Sequence, residues 1–300
     1  VTMSGAEPIQ PGQSYPTNYT EVGRLTGQQE EIRSLAPLPQ GGLAGGSQDS
    51  NIYIWDSITP ILKRKKAVAT LTGHRDRIES LVHIGEGHLV SASIDRTVRI
   101  WDTSNRAQIG EIGELEARVK SLTLIEQGVL GGGRIDGAIQ LWDIERQCST
   151  RVFKGHKGEV KSLATLEEGL IVSGGHKTIR LWDRRQENEV DTLVHHTNCY
   201  SSLAPLTKGR LASGGNNDAA ELWDIGQRQR VAVLRESRTA QSFAPVRETF
   251  LAVGESSGIV RVWNIEKREV VAVLTGHIDS RSKFKSVHSL SSLGPLLVSA

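Results

Sequence analysis

Short segments in which apolar and polar residues alternate recur along most of the chain. Three of them, residues 97–101, 138–142 and 259–263, place β-branched or apolar residues at every second position and end on tryptophan. This period of two is typical of strands with one face buried. Turns rich in Gly, Asp and Asn separate the segments, and no stretch of ten or more residues combines helical periodicity with caps. The pattern therefore predicts an all-β chain.

The alternating segments repeat at a nearly constant interval. The tryptophans, each followed by Asp or Asn, are separated by 46, 41, 40, 41 and 40 residues: Trp55, Trp101, Trp142, Trp182, Trp223 and Trp263. A serine followed by Leu or Phe recurs in the same register, at Ser34, Ser80, Ser121, Ser162, Ser202, Ser242 and Ser289. A fixed period near 40 indicates one supersecondary unit copied along the chain.

The second copy shows what the unit contains. Its pattern predicts four short strands, over residues 78–84, 88–93, 97–101 and 107–112. A four-stranded sheet repeated radially around an axis is the blade of a β-propeller. The 31 glycines agree with this interpretation, since many of them fall in the predicted turns.

The residues of the second copy resemble a WD40 repeat. The resemblance rests on Leu71-Thr72-Gly73-His74, Ser91-Ala92-Ser93-Ile94-Asp95 and Val98-Arg99-Ile100-Trp101-Asp102, and the repeated pattern covers residues 22–300. It implies a hydrogen-bonded network that joins Trp101, Ser91, His74 and Asp95. Such networks bury polar groups that are costly when unpaired.

The other copies keep only parts of this network. Gly45 and Gly132 stand at the serine position, His156 is retained in a copy whose shorter turn has lost the aspartate, and Glu236, Val253 and Ser257 replace the set in the sixth copy. We therefore expect apolar packing to hold the sixth blade.

The resemblance implies a seven-bladed WD40 β-propeller of four-stranded antiparallel blades, with the seventh blade incomplete. Residues 1–21, polar and containing three prolines, are expected to form a flexible leader before six full repeats and a truncated seventh over 22–300. Residues 22–27 resemble the outer-strand segments of other copies, whereas the last copy stops at Ala300. The seventh blade would then have two inner strands and one outer strand with nothing between, as in a fragment of a longer protein.

Charge and composition exclude several classes. The 36 basic residues nearly balance the 34 acidic ones, which gives no global attraction to nucleic acid or to an anionic membrane. Two cysteines are too few for a disulfide framework, and no run approaches the roughly 18 apolar residues of a membrane helix. We expect a cytoplasmic protein, with import into the nucleus left open by the basic residues 63–66, although an exposed hairpin there would explain them equally well.

No catalytic constellation is present in the sequence, and we expect no enzyme activity, cofactor or metal. The glycine runs 41–46 and 131–133 lack the Gly-Lys-Ser/Thr of a phosphate loop and fall where second strands are expected. His195, His196, Cys199 and His176 have the ligand types of a zinc site, but His196 also matches the structural histidine of the repeat.

By similarity to the family, partners dock on the rim formed by the loop before each first strand and the turn after each second strand. The positions that face this rim are Glu31, Arg33, Arg77, Glu79, Arg118, Lys120, Glu159, Lys161, Cys199, Ser201, Thr239, Gln241, Ser286 and His288. The first four blades contribute charged residues with a basic one in each, and the opposite sector is small and neutral. This asymmetry favours an acidic or phosphorylated partner segment, against the alternative of a solvated rim.

The expected function is therefore a non-catalytic scaffold or adaptor, a monomeric propeller within a larger assembly that presents its rim to other proteins. Two alternatives remain open. Trp182-Asp183-Arg184-Arg185 fits the Trp-Asp-x-Arg pattern of the substrate receptors of cullin-type ubiquitin ligases. The chain could also be the regulatory propeller of a larger enzyme.

Overall fold

The fold is built almost entirely from strands. A computed structural model describes residues 2–5, 20–56, 64–113, 115–166, 169–186, 189–215, 218–237, 239–275, 286–293 and 296–300. Within them the regular elements are antiparallel and parallel strands and one 3-10 turn at Pro39–Gly41. The prediction of an all-β chain is confirmed.

Four sheets have the expected four strands, paired antiparallel in chain order from the inner to the outer strand. The first sheet contains Ile32–Leu38, Gly42–Ser47, Ile52–Trp55 and Ala69–Leu71. The second contains Ile78–Gly85, His88–Ser93, Val98–Asp102 and Ala107–Ile112. The third contains Val119–Glu126, Val129–Arg134, Ala138–Asp143 and Cys148–Lys154. A further one contains Ala240–Val246, Phe250–Glu255, Val260–Asn264 and Glu269–Leu274. The glycine run 131–133 lies in a second strand, as predicted, and so does the run 41–46 apart from Gly41, which ends the 3-10 turn.

A seven-stranded sheet joins the fourth and fifth repeats. Its strands are Ser162–Thr165, Leu170–Gly174, His176–Asp183, Glu189–Leu206, Arg210–Gly215, Asp218–Asp224 and Gln229–Leu234. The 18-residue strand Glu189–Leu206 is both the outer strand of one repeat and the inner strand of the next. No glycine, and no proline before Pro205, interrupts it. The structure consequently has six sheets, and the prediction of seven separate blades is wrong.

A five-stranded sheet brings the two ends of the chain together. Its order is Leu290–Leu293, Leu296–Ser299, Thr2–Gly5, Thr20–Thr26 and Arg64–Lys66. The sequence predicts nothing between the C-terminal strands and the strand at residues 22–27, but Thr2–Gly5 pairs with both. The expected gap and the expected flexible leader are therefore wrong for residues 2–5, because backbone pairing satisfies the strand edges there. The rest of the leader, residues 6–19, lies outside the described residues, as do residues 276–285.

The basic cluster also differs from its expected exposed hairpin. Arg64–Lys66 adds a parallel strand beside Thr20–Thr26, and the Nζ of Lys65 lies 2.7 Å from Oδ1 of Asp56. Lys63 lies outside the described residues. The three described members of the cluster thus cover the outer edge of the five-stranded sheet.

The inner strands contact one another in a closed cycle. Each inner strand touches that of the next repeat, the seven-stranded sheet contributes two of them, and Leu290–Leu293 returns to Ile32–Leu38. This cyclic order of sheets is the arrangement of a propeller. It places the start of every inner strand around one central channel.

Each tryptophan packs between its own repeat and the one before it. Trp101, for example, joins a cluster with Ile52 and Leu71 of the first sheet, and Trp55 joins one with Leu25 and Val298 of the five-stranded sheet. All six tryptophans are at most 2% exposed. Burying a large aromatic side chain stabilises a fold by ~2–3 kcal/mol, so these residues hold neighbouring repeats together.

The recurrent serines line the channel and link neighbouring repeats. The hydroxyl oxygens of Ser34, Ser80 and Ser162 accept hydrogen bonds from the backbone N–H groups of Leu81, Leu122 and Leu203, over 2.9 to 3.0 Å. Ser289 accepts from the N–H of Leu35 at 3.1 Å and so joins the last repeat to the first. The Ser-Leu pattern therefore has a structural cause, a partial ring of hydrogen bonds around the channel.

Candidate functional site

The network expected in the second repeat is made of three short hydrogen bonds. Nε1 of Trp101 donates to the Ser91 hydroxyl at 2.8 Å, which lies 2.7 Å from Nε2 of His74, and Nδ1 of His74 lies 2.8 Å from Asp95. Burial opposes ionisation of Asp95, but hydrogen bonds from His74, the Arg75 amide and the Thr97 hydroxyl outweigh it and hold the pKa of its carboxyl well below its usual range. The network joins the loop that precedes the strand Ile78–Gly85 to the turn that follows the strand His88–Ser93.

The fourth repeat has a shorter form of the network. Nε1 of Trp182 donates to Ser173, and Ser173 lies 2.7 Å from Nε2 of His156. The Thr178 hydroxyl lies 3.2 Å from Nδ1, as the Thr97 hydroxyl does in the second repeat, and no aspartate accompanies it. Burial, together with the nearby Arg180, lowers the pKa of His156 to about 4. This histidine is neutral at physiological pH.

The two repeats with glycine at the serine position differ in the hydrogen bond of their tryptophan. Trp55 donates instead to the Thr26 carbonyl at 3.0 Å, which ties the first sheet to the five-stranded sheet. Nε1 of Trp142 has no partner among the described residues. A Cβ at Gly132 would lie 2.4 Å from the Trp142 ring, so the ring fills the space a serine would need.

The fifth and sixth repeats keep a hydrogen bond from the tryptophan to a serine. Trp223 donates to Ser213 at 2.8 Å, and Trp263 donates to Ser237 at 2.9 Å. Ser237 is fully buried and was not identified from the sequence, because it stands beside the residue that aligns with histidine rather than at the serine position. The sixth repeat is thus held by a hydrogen bond as well as by apolar packing.

A cavity lies at the mouth of the central channel. Its volume is about 400 Å³, and its walls are the first residues of the inner strands. Half of the predicted rim residues line it: Arg33, Glu79, Lys120, Glu159, Lys161, Gln241 and His288. Serines of the ring complete the wall, at Ser34, Ser80, Ser121, Ser202, Ser242 and Ser289.

Glu79 forms ion pairs with two cations on the charged side of this mouth. Arg77 Nε lies 2.6 Å from one carboxylate oxygen, and the Lys120 ammonium contacts the other. Burial raises the pKa of Glu79, but Lys120 and Arg77 outweigh that effect, and the net pKa is lowered. Both oxygens of Glu79 are therefore engaged, and its charge is offset by two cations.

His288 and Arg33 lie next to each other on the wall of the channel. Burial, and then the positive charge of Arg33, lower the pKa of His288, and Glu31 partly opposes them. Nε2 of His288 is 3.8 Å from Glu31, which also accepts a hydrogen bond from Gln48 at 2.8 Å. Nε of Arg33 is buried without a partner in the described part of the chain.

The remaining predicted rim residues lie outside the cavity. Arg118 is exposed, and Arg77 and Glu31 reach the cavity only through their bonds to Glu79 and His288. Thr239 and Ser286 are partly buried before the last two inner strands. Cys199 and Ser201 lie on Glu189–Leu206, and their side chains are outside the described set.

The other sequence candidates can be placed more briefly. Arg185 is exposed at the turn after Asp183, whereas Nη1 of Arg184 is 2.5 Å from Oε1 of Glu126. The side chains of His195, His196 and Cys199 fall outside the described set, and within it no group of three His, Cys, Asp or Glu residues could hold a metal ion. None of the described residues belongs to a helix long and apolar enough to cross a membrane.

A protein-family model matches part of the chain. The model of the family described as WD domain, G-beta repeat matches three segments of the chain, residues 19–56, 65–102 and 147–183. No curated protein matches the chain. Each matched segment ends one residue after a tryptophan of the repeat. Each runs from the last strand of one repeat through the first three strands of the next. The chain is a WD40-repeat β-propeller.

Proposed function

We propose that this propeller is a non-catalytic scaffold that presents the mouth of its channel and the surrounding rim to partner proteins. WD40 propellers are typically protein-interaction scaffolds, and that property of the fold supports the proposal only in general terms. The observation that carries it is the mouth itself, a polar cavity to which residues from all six sheets contribute.

The charge of the mouth supports an acidic or phosphorylated partner segment. Cationic side chains are concentrated on the first four repeats, at Arg33, Arg77, Arg118, Lys120 and Lys161. On the opposite side the wall is formed by Gln241, Ser202 and a histidine whose pKa is lowered. Carboxylates and phosphates form their strongest hydrogen bonds with such cations, and arginine can bind them through two parallel bonds.

Charge reversal at the basic side tests this function. The double variant Arg118→Glu/Lys120→Glu is compared with Lys208→Glu/Lys267→Glu, which changes the net charge equally but lies on exposed turns away from the mouth. Affinity purification followed by quantitative mass spectrometry should show partners lost only from the first variant. Equal partner recovery from both variants and the parent would refute the proposal.

The ubiquitin-ligase alternative has one observation in its favour, the exposed side chain of Arg185. If the propeller is a substrate receptor, Arg185→Ala should abolish capture of a cullin adaptor, and Arg146→Ala, a change at another exposed turn arginine, should not. Retention of the adaptor by Arg185→Ala would exclude this alternative.

A further inference from the structure

Two buried polar atoms on the wall of the channel mouth lack partners. Nε of Arg33 and Oγ of Ser121 are both without a hydrogen bond in the described part of the chain, and both residues line the same cavity. A buried polar group without a partner costs ~1–3 kcal/mol, and such groups are uncommon in folded proteins. These two side chains therefore leave donors beside the cavity without acceptors among the described residues.

The ring of serines adds donors to the same wall. Ser34, Ser80 and Ser289 each accept a hydrogen bond from a backbone N–H, which leaves the proton of each hydroxyl for donation. Ser242 differs, because its hydroxyl donates to the Val287 carbonyl. The wall therefore offers several O–H donors at the level where the cavity begins.

The cations of the cavity are not all neutralised. Glu79 is offset by Arg77 and Lys120, whereas no carboxylate contacts Arg33 or Lys161 among the described residues. Glu159 is an exposed carboxylate that also lines the cavity. Two cations and a set of hydroxyl donors therefore face a volume of about 400 Å³.

We propose that the mouth of the channel binds a phosphate monoester, with Arg33 and Lys161 contacting its oxygens and the serine hydroxyls donating to them. The phosphate of such an ester carries a charge near −2 and three strong acceptor oxygens, which suit this donor set. The cavity lies within the usual range of ~300–1,000 Å³ for small-molecule sites, so it has room for the carrier of the phosphate as well. The proposal rests on the proposed function, since it names the chemistry that the same mouth would recognise.

Isothermal titration calorimetry on the full chain tests the site. The probes are inorganic phosphate, O-phosphoserine and the blocked peptide Gly-Gly-phosphoserine-Gly-Gly, with the unphosphorylated peptide as comparator. The variants Arg33→Met and Lys161→Met remove one charge each and keep an apolar stem. Arg146→Met and Lys208→Met, both on exposed turns away from the mouth, are matched controls.

The expected result is binding of phosphorylated probes that weakens roughly tenfold or more in each cavity variant and less than about twofold in the controls. Tighter binding of the peptide than of the free compounds would assign the phosphate to a partner's segment, and equal binding would assign it to a small molecule; both support the site. If circular dichroism shows that Arg33→Met does not fold, the affinity of Lys161→Met for the phosphorylated probes decides whether the site exists.

The inference is overturned if no phosphorylated probe binds at about 5 mM, or if the cavity variants bind like the controls. This failure can be told apart from failure of the scaffold function. A propeller that loses partners in Arg118→Glu/Lys120→Glu but ignores every phosphate probe would keep the scaffold function and lose the phosphate site.

Discussion

Replacing Ser91 with alanine perturbs the network of the second repeat at its centre. The Ser91 hydroxyl accepts from Trp101 and pairs with Nε2 of His74, over 2.8 and 2.7 Å. Since Nδ1 of His74 faces the Asp95 carboxylate, which only accepts, Nδ1 carries a proton and donates to Asp95. One substitution therefore removes the partner of two groups.

The expected cost follows from burial. Ser91 is 0% exposed and Trp101 is 2% exposed, so water does not replace the lost bonds. Each orphaned group costs ~1–3 kcal/mol, and we expect the free energy of unfolding to fall by ~2–5 kcal/mol. The exposed Ser104 is the matched control, and Ser104→Ala should change stability by less than ~0.5 kcal/mol.

Urea unfolding followed by circular dichroism and tryptophan fluorescence measures the effect, with coincident transitions as the test of cooperativity. Repeating Ser91→Ala in a Trp101→Phe background isolates the indole bond, and its cost should drop by ~1 kcal/mol there. The reasoning is refuted if Ser91→Ala stays within the range of the control. An equal cost in both backgrounds would show that the indole bond contributes nothing.

Two further predictions concern other repeats. His156 has a folded pKa of about 4 against ~6.5 when unfolded, so the unfolded chain binds the extra proton and stability should fall as pH drops from ~6.5 to ~4, by up to ~3 kcal/mol. Urea midpoints measured across this range should fall less in His156→Gln, and parallel curves would contradict the assignment. Gly132→Ala would place a Cβ 2.4 Å from the Trp142 ring and should cost ~1–3 kcal/mol, whereas Gly113→Ala meets only the flexible Glu111 carboxylate at 3.3 Å. Equal melting temperatures for the two alanine variants would show that the core around Trp142 relaxes enough to accommodate the added methyl group.

The period of the sequence predicts most of the local structure. The strands of the second repeat lie within one residue of their predicted ends, because alternation and turn residues act locally. The pairing of Thr2–Gly5 between Leu296–Ser299 and Thr20–Thr26 was not predictable, since it depends on backbone hydrogen bonds between segments almost 300 residues apart. The strand Glu189–Leu206, which joins the fourth and fifth repeats, was also missed. The period of the sequence implies a turn between these two repeats, but the residues there continue as a strand.

The candidate site was likewise predicted at the level of single residues but not at the level of contacts between repeats. Similarity to the family, applied at each repeat, placed Arg33, Glu79 and Lys161 among the residues facing one rim, and all three lie on the wall of the channel. The pairing of Glu79 with Lys120 of the next repeat needs distances between repeats, which the sequence does not contain. Ser237 was missed because it lies in the loop before Ala240–Val246, outside the serine position of the repeat, where the indole of Trp263 reaches it.

Site-specific photo-crosslinking tests the central claim, that partners dock at the channel mouth, most directly. A benzophenone amino acid replaces Lys157, an exposed residue in the loop before the fourth inner strand, or Lys208 at the opposite end of an inner strand. Neither residue is a proposed contact. The structure predicts crosslinked partners from position 157 that disappear in Arg118→Glu/Lys120→Glu and are absent from position 208. Crosslinks from position 208 alone, or equally from both, would contradict it.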